Sequence, residues 1–462
     1  MDGFDYMQDV VGQLPFLKTY SHLLLAFPLS DDDSSRNKAK ERLQSASVQL
    51  TKTFPWLAAK VVQKSSAPER PGSFHLEPCE LWSSPNSIIR FKDCSNDMPS
   101  YQELVETRGP ASMLPGDLLA PRKAFPETYY ETERDPAPVI ALQANFVTGG
   151  LLLDCAAQHN FIDMSGINQC YNLLATALRG EPFPSDAIAE GNMDRRNLVP
   201  LLQENETVLD HGQFLRPGSD DLPPPPREPE SPFLWRYFRF SRATLAALKA
   251  MATPPTAGRE ACPSSPPSYV STNDALSAFC WQRVTATRLA RRKTPEAVAK
   301  FCRAVDARRA MGVPQGYMGD LVTIATSTMG FRELVEAPLA EISNRFRRDL
   351  EAVNNRDYVR SFATWIARTA DKATIAYGGK FNPDTDIGSS SWAHIRLATV
   401  DFGPLGRPSL IRRPDFVPLK SDIYFMPQTE SGDIDALVCF NRADLDGLMK
   451  DEMWTTYADY IG

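Results

Sequence analysis

The residues Gln158-His159-Asn160-Phe161-Ile162-Asp163-Met164-Ser165-Gly166 carry the clearest chemistry in the chain. They follow the apolar run Gly150 to Ala157, so His159 leaves the end of a buried strand, with Asp163 four residues on and a helix beginning just after. A strand end fixes an imidazole in place, and neutral imidazole takes up a proton near neutral pH. Of the five histidines (His22, His75, His159, His211 and His394) only His159 has this setting, which makes it the candidate general base. Asp163 has two readings. It is a relay partner of the imidazole, like the aspartate of a hydrolase triad, or a support for the backbone of the turn. The intervening turn more easily directs the carboxylate away from the ring.

The elements that must position His159 are read from spacing. Val139 to Phe146 alternates loosely, Thr148-Gly149-Gly150 is a turn signal, and the next apolar run ends at His159: a hairpin delivering the histidine. Beyond it, Ile167, Cys170, Leu174 and Leu178 share one helical face, and Gly180 ends the helix. Residues 34 to 54 predict a helix capped by Ser34 or Ser35, burying Leu43, Ala46, Leu50 and Phe54, and stopped by Pro55; a strand follows near Val61. Between about 180 and 232, Pro217, Pro223 to Pro226, Pro229 and Pro232 stand among acidic residues, the composition of an extended linker. A second insert, Pro254-Pro255 and Cys262 to Pro267, precedes a helix whose start, Ser271 with Asp274 three residues on, reads as a capping box.

At 462 residues the chain is too long for one ordinary core, so two domains are expected, 1–185 and 233–462, with 186–232 as the crossover. With 42% hydrophobic and 23% charged residues it reads as a soluble globular protein. The net charge of −7 and the lack of any basic run longer than Arg291-Arg292-Lys293 exclude a nucleic-acid partner from the expectations. Met1 to Asp5 is acidic and unlike a leader peptide; the apolar runs at Leu23–Leu25 and Leu151–Leu153 are strand-sized, so no membrane span is expected. Eight scattered cysteines, with no paired Cys-x-x-Cys, predict reduced thiols, no structural metal and a cytoplasmic protein. Gly-x-Ser-x-Gly, Gly-x-Gly-x-x-Gly and the phosphate-loop pattern are all absent, which argues against a serine hydrolase and nucleotide chemistry.

A second motif lies far downstream, Asp401-Phe402-Gly403, preceded by Ser390-Ser391-Trp392. Together with His-x-x-x-Asp it resembles the BAHD-type acyl-CoA-dependent acyltransferases. The helix start Ser271 to Trp281, the run Ala304 to Arg308, and Gly316-Tyr317-Met318-Gly319-Asp320 are similar to further segments of that family, in the same order. Asp306 and Asp320 stand where its pattern has asparagines, and Pro404-Leu405-Gly406 replaces the Trp-Gly that usually follows Asp-Phe-Gly. That lengthened form, the opening Gly12-Gln13-Leu14-Pro15 and the ending Trp454 to Gly462 look like the fungal trichothecene 3-O-acetyltransferases within the family.

The resemblance implies an α/β fold of two similar chloramphenicol-acetyltransferase-like domains, each a mixed sheet flanked by helices, with the active-site channel between them. It implies transfer of an acetyl group from acetyl-CoA to a hydroxyl of a fungal secondary metabolite, with His159 as base and no acyl-enzyme. Asp163 then serves structurally, ion-paired with Arg308, and Asp401 is a second structural support. Ser390, Ser391, Gly403 and Tyr317 are the cofactor-side candidates, with Asp320 also facing the channel, and Arg283, Arg303 and Arg308 are candidates for the coenzyme phosphates by neighbourhood. A monomer is expected. Two alternatives stand beside this: an amide-forming condensation-type enzyme, which carries a histidine where this chain has Gln158, and a non-catalytic binding protein of the same fold.

Overall fold

The computed structural model describes residues 3–64, 73–125, 132–216, 231–253 and 269–462. The prolines Pro223 to Pro226 and the insert from Pro254 to Pro267 lie outside the described residues. In chain order the strands are β1 (Tyr20–Pro28), β2 (Lys60–Lys64), β3 (Ser73–Glu77), β4 (Ile89–Asp93), β5 (Ile140–Val147) and β6 (Gly150–Gln158). The second half adds β7 (Phe233–Phe240), β8 (Val298–Asp306), β9 (Val322–Gly330), β10 (Ile387–Ser391), β11 (Leu410–Arg412), β12 (Asp422–Phe425), β13 (Ile434–Asn441) and β14 (Asp459–Tyr460).

Two mixed sheets organise the chain. The first has the order β11-β1-β6-β5-β4, antiparallel except where β4 runs parallel to β5. The hairpin expected ahead of His159 is β5–β6, closed at Thr148-Gly149, with Gly149 at φ +75° where other residues are strained. β6 is buried along its whole length because both faces are covered, which is why it reads as a nearly continuous apolar run broken only by Asp154 before Gln158. Leu153, Cys155 and Ala157 pack under the helices Asp33–Thr53 and Met164–Leu178, while Leu152 joins Leu24 and Leu104 on the opposite face. The second sheet, β14-β7-β13-β12-β10-β8-β9, carries the helices Arg242–Ala252, Thr272–Arg292 and Leu339–Val353 on its own core.

Local signals hold with two adjustments. The first helix is capped by Asp32, whose side chain accepts from Ser35 N at 2.8 Å, rather than by Ser34 or Ser35, because the aspartate stands one position before the first turn. The predicted capping box is present at Ser271, where Asp274 returns a bond to the Ser271 backbone. The expected linker 186–232 opens inside a helix, Ser185–Gly191, that is packed on the first half: Trp56 Nε1 donates to Gly191 O at 3.1 Å.

The sequence division 1–185 and 233–462 also does not separate the sheets. β11, from the second half, pairs antiparallel with β1 and forms the edge of the first sheet. Leu410 and Ile411 fall in cores on opposite faces of that sheet, so the strand both closes the β1 edge and buries apolar surface.

Candidate active site

His159 is the first residue beyond β6. Its backbone N donates to Thr19 O at 2.9 Å, which extends the pairing with β1 by one step. The next residue ties down the N-terminal segment: Asn160 Nδ2 donates to Gly12 O at 2.5 Å and to Leu14 O at 3.1 Å. Gly12 permits that approach, since a Cβ there would lie 2.0 Å from Asn160 O. The ring of His159 is 25% exposed and stands in the wall of a cavity of about 740 Å³. Tyr20 and Ser165 from the first half and Ile324, Ser390 and Tyr424 from the second share that wall, so the cavity lies between the two sheets. Its lining is mainly apolar, as suits an organic ligand with few polar groups.

Asp163 does not face the imidazole. It is the N-cap of the helix Met164–Leu178, with Oδ1 accepting from Gly166 N at 2.9 Å. Arg308 grips both oxygens, at 2.7 and 2.8 Å, and Leu321 N donates to Oδ2 at 3.2 Å. The same guanidinium donates to the carbonyls of Tyr317 and Gly319 and to Asp306. Burial alone would raise the Asp163 pKa; the Arg308 charge and these bonds hold it below the usual carboxylate range. The pair thus locks the start of one helix to the loop that precedes β9. Gly166 makes the fit possible, because a Cβ there would meet Met318 O at 2.3 Å. Gly166→Ala is expected to destabilise by about 1–3 kcal/mol through this overpacking and to lower turnover with it, checked by chemical denaturation beside an activity assay.

The carboxylate that does face His159 belongs to Asp320, fully buried, with Oδ2 3.4 Å from His159 Nδ1. Burial opposes charge on the imidazole, but Asp320 overrides it and lifts the His159 pKa to about 8. Sequence reasoning placed Asp320 at the channel without assigning it to the histidine; no local pattern links two residues so far apart in the chain.

The remaining candidates divide. Ser390 and Ser391 line the cavity from β10, and Ser390 Oγ accepts from Trp392 Nε1 at 2.9 Å. Tyr317 is not found among the described residues of the cavity wall: it is fully buried and its hydroxyl points to Asp9 at 3.5 Å. Gly403 also lies away from the cavity, at φ +61° against Leu178 O, and Asp401 Oδ1 accepts from Gly403 N at 2.9 Å. Arg179 NH1 donates to Asp401 O at 2.7 Å, so this motif abuts the end of the helix that Asp163 begins. The three neighbouring arginines are all held by carboxylates: Arg283 by Asp451, Arg303 by Asp274 at 2.8 Å, and Arg308 by Asp163. Among the described residues, Arg413 and Lys420 are the basic side chains of Arg or Lys type in the cavity wall.

A second buried His–Asp contact escaped the sequence reading: His22 Nδ1 lies 2.8 Å from Asp154 Oδ2, both fully buried between β1 and β6. Each is an ionisable residue in a mostly apolar strand, and only the strand register, which sets His22 opposite Ala156, brings them together. Among the described residues no group of three or more His, Cys, Asp or Glu side chains is placed to hold a metal ion, and no helix is long and apolar enough to cross a membrane.

Comparison with known proteins adds the lineage. Residues 119–454 match the model of the Transferase family, and residues 19–178 match the trichothecene 3-O-acetyltransferase-like N-terminal domain. The chain is 48% identical to the O-acyltransferase pigD of Monascus ruber over 455 residues, 98% of each chain. It is 34% identical to the trichothecene 3-O-acetyltransferase TRI101 of Fusarium sporotrichioides, covering 100% of this chain and 98% of that one. The crystal structure of F. graminearum TRI101 complexed with coenzyme A and deoxynivalenol superposes with a TM-score of 0.88 at 32% identity, over 98% of this chain and 99% of that chain.

Proposed function

Since the chain belongs to the Transferase family and has the two-sheet fold of its acetyltransferases, we propose that it transfers an acetyl group from acetyl-CoA to a hydroxyl of a fungal secondary metabolite. The observation that carries the reading is His159, fixed at the end of β6 with its ring opening into a cavity between the sheets. The alcohol oxygen attacks the thioester carbonyl carbon as His159 Nε2 removes the hydroxyl proton. The resulting tetrahedral oxyanion collapses with cleavage of the C–S bond, and the imidazolium returns its proton to the departing sulfur, giving ester and free thiol. No bond to the protein forms.

Ser390 is suited to the oxyanion. Its oxygen already accepts from the Trp392 indole, which leaves its own proton to donate into the cavity. Arg413, buried and stacked over Trp235, Phe416 and Tyr424, gives the mainly apolar wall a fixed cation for a polar group on either substrate. Asp163 with Arg308, and Asp401 with Arg179, act structurally on the two ends of one helix. The relatives' names, an O-acyltransferase and a trichothecene 3-O-acetyltransferase, support an alcohol acceptor over an amine. A cytoplasmic location fits the seven described cysteines, all buried and unpaired.

The test is thiol release from acetyl-CoA with a panel of hydroxylated fungal metabolites that includes a trichothecene alcohol. Release that depends on an acceptor is expected. Absence of both release and acetyl-CoA binding across the panel would overturn the reading.

A further inference from the structure

Every oxygen lone pair of Asp163 that could serve the histidine is committed elsewhere, to Arg308, Gly166 N and Leu321 N. The opposite holds for Asp320. Neither of its oxygens has a hydrogen-bond partner among the described residues, and neither has His159 Nδ1, although all three atoms are buried. A buried polar atom left unpaired is costly, and these groups face one another at 3.4 Å, with the backbone of His159 itself as the other hydrogen-bonding group acting on the ring. The contact is too long and too poorly aligned for a good hydrogen bond. A small turn of the ring closes it, as such contacts tighten when substrate fills a site.

We propose that Asp320 is the positioning residue of the base: its carboxylate keeps the proton of neutral His159 on Nδ1, turns Nε2 toward the substrate, and strengthens the imidazole as a base. A carboxylate cannot accept from a bare ring nitrogen, so the contact selects the tautomer whose Nε2 lone pair is open. Asp320 is carried by the loop that Arg308 clamps through the carbonyls of Tyr317 and Gly319, so the clamp that holds Asp163 also sets the distance from Asp320 to the ring. The polar dyad is therefore assembled from both halves of the chain, His159 from the first and Asp320 from the second.

The charged and titratable groups around the pair are few. Asp163 adds a weaker negative field at His159, and it is balanced by Arg308. Behind Asp320 stand Asp9, Arg195 and Tyr377. Burial first and then Asp320 push Asp9 up to about 7, so it is at least partly neutral at physiological pH and competes little for the proton. Burial, opposed by the contact with His159, raises the Asp320 pKa as well.

The proposal rests on His159 being the base, so its first readout is independent of turnover. Proton–nitrogen NMR of the imidazole rings in the full-length protein, with His159 assigned through its loss in His159→Gln, gives the titration of that ring with no ligand present. His159 is expected to titrate well above the usual histidine value of about 6.5, and to return toward it in Asp320→Asn. Asparagine is the residue of the resembling pattern at this position and keeps the shape of the side chain. The neutral ring should show a protonated Nδ1 and a bare Nε2.

The second readout is the pH profile with the acceptor found in the thiol-release panel. A weaker base that is neutral at lower pH makes the two profiles cross. Asp320→Asn is expected to be about 5–10-fold slower than wild type near pH 9 and equal or faster near pH 6. A role confined to holding the fold would give a ratio constant with pH. The proposal is overturned if wild-type His159 titrates at or below the ordinary value, a result that needs no variant, or if folded Asp320→Asn leaves that titration unchanged. Either outcome is separate from failure of the acetyl-transfer reading, which would appear as absent thiol release in the wild type.

Discussion

His159→Ala is expected to lower kcat/KM by about 10²–10⁴-fold, the range contributed by a positioned general base, with folding and acetyl-CoA binding retained. The two retained properties follow from where the ring sits. It is partly exposed to the cavity, and its one close polar contact is the unbonded Asp320. The backbone of the turn is held by other residues: Asn160 on Gly12 and Leu14, Asp163 on Gly166 and Arg308. Removing the imidazole therefore deletes the proposed proton acceptor and little packing. The buried Asp320 carboxyl can take a proton where its partner is gone, which limits the cost of leaving it alone. Thiol release, thermal unfolding and acetyl-CoA binding on one preparation check this. A variant that retains more than a tenth of wild-type kcat/KM while folded would place the base elsewhere.

Arg308→Met is expected to have the second-largest effect, and of a different kind. It strands the Asp163 carboxylate in a site where both partners are almost wholly buried, at a cost of about 3–5 kcal/mol. It also removes the donors to the Tyr317 and Gly319 carbonyls, so the loop bearing Asp320 loses its anchor. Stability and activity should fall together, in contrast with His159→Ala. Asp163→Asn is expected to be milder, since an amide oxygen still accepts from Gly166 N or from Arg308. The double variant Asp163→Asn with Arg308→Met should cost less than the sum of the single changes, because the unpaired charge is gone. Urea unfolding midpoints of the four proteins give the coupling; additive losses would mean the two side chains do not act as a unit.

Much of the site's scaffold was legible in the sequence. Strand and helix periods are local properties, so the hairpin β5–β6, the helix Met164–Leu178 with its stop at Gly180, and the capping box at Ser271 could be read from spacing. The position of His159, the proposed base, was legible for the same reason: a histidine at the end of an apolar run has few other placements. The pairing of Asp163 with Arg308 came from family resemblance rather than from spacing, and the geometry agrees with it. The arginines offered as phosphate ligands show the limit of reading by neighbourhood, since Arg283 and Arg303 each meet a carboxylate from a remote segment.

By itself the sequence determined the elements that carry His159 and Asp163, the family to which the chain belongs, and with it the class of reaction. The tertiary structure decided which side chains meet. It put Asp320 rather than Asp163 against the imidazole, turned Tyr317 toward Asp9, set Gly403 against the end of a helix, and moved β11 into the first sheet. The physical reason is separation along the chain. Arg308 and Asp163 are 145 residues apart, and β1 and β11 lie in opposite halves. Local periodicity fixes which face of an element is buried, but the partner of a buried charge is fixed by how the two sheets pack and by the glycine at position 166 that lets a helix end approach a loop.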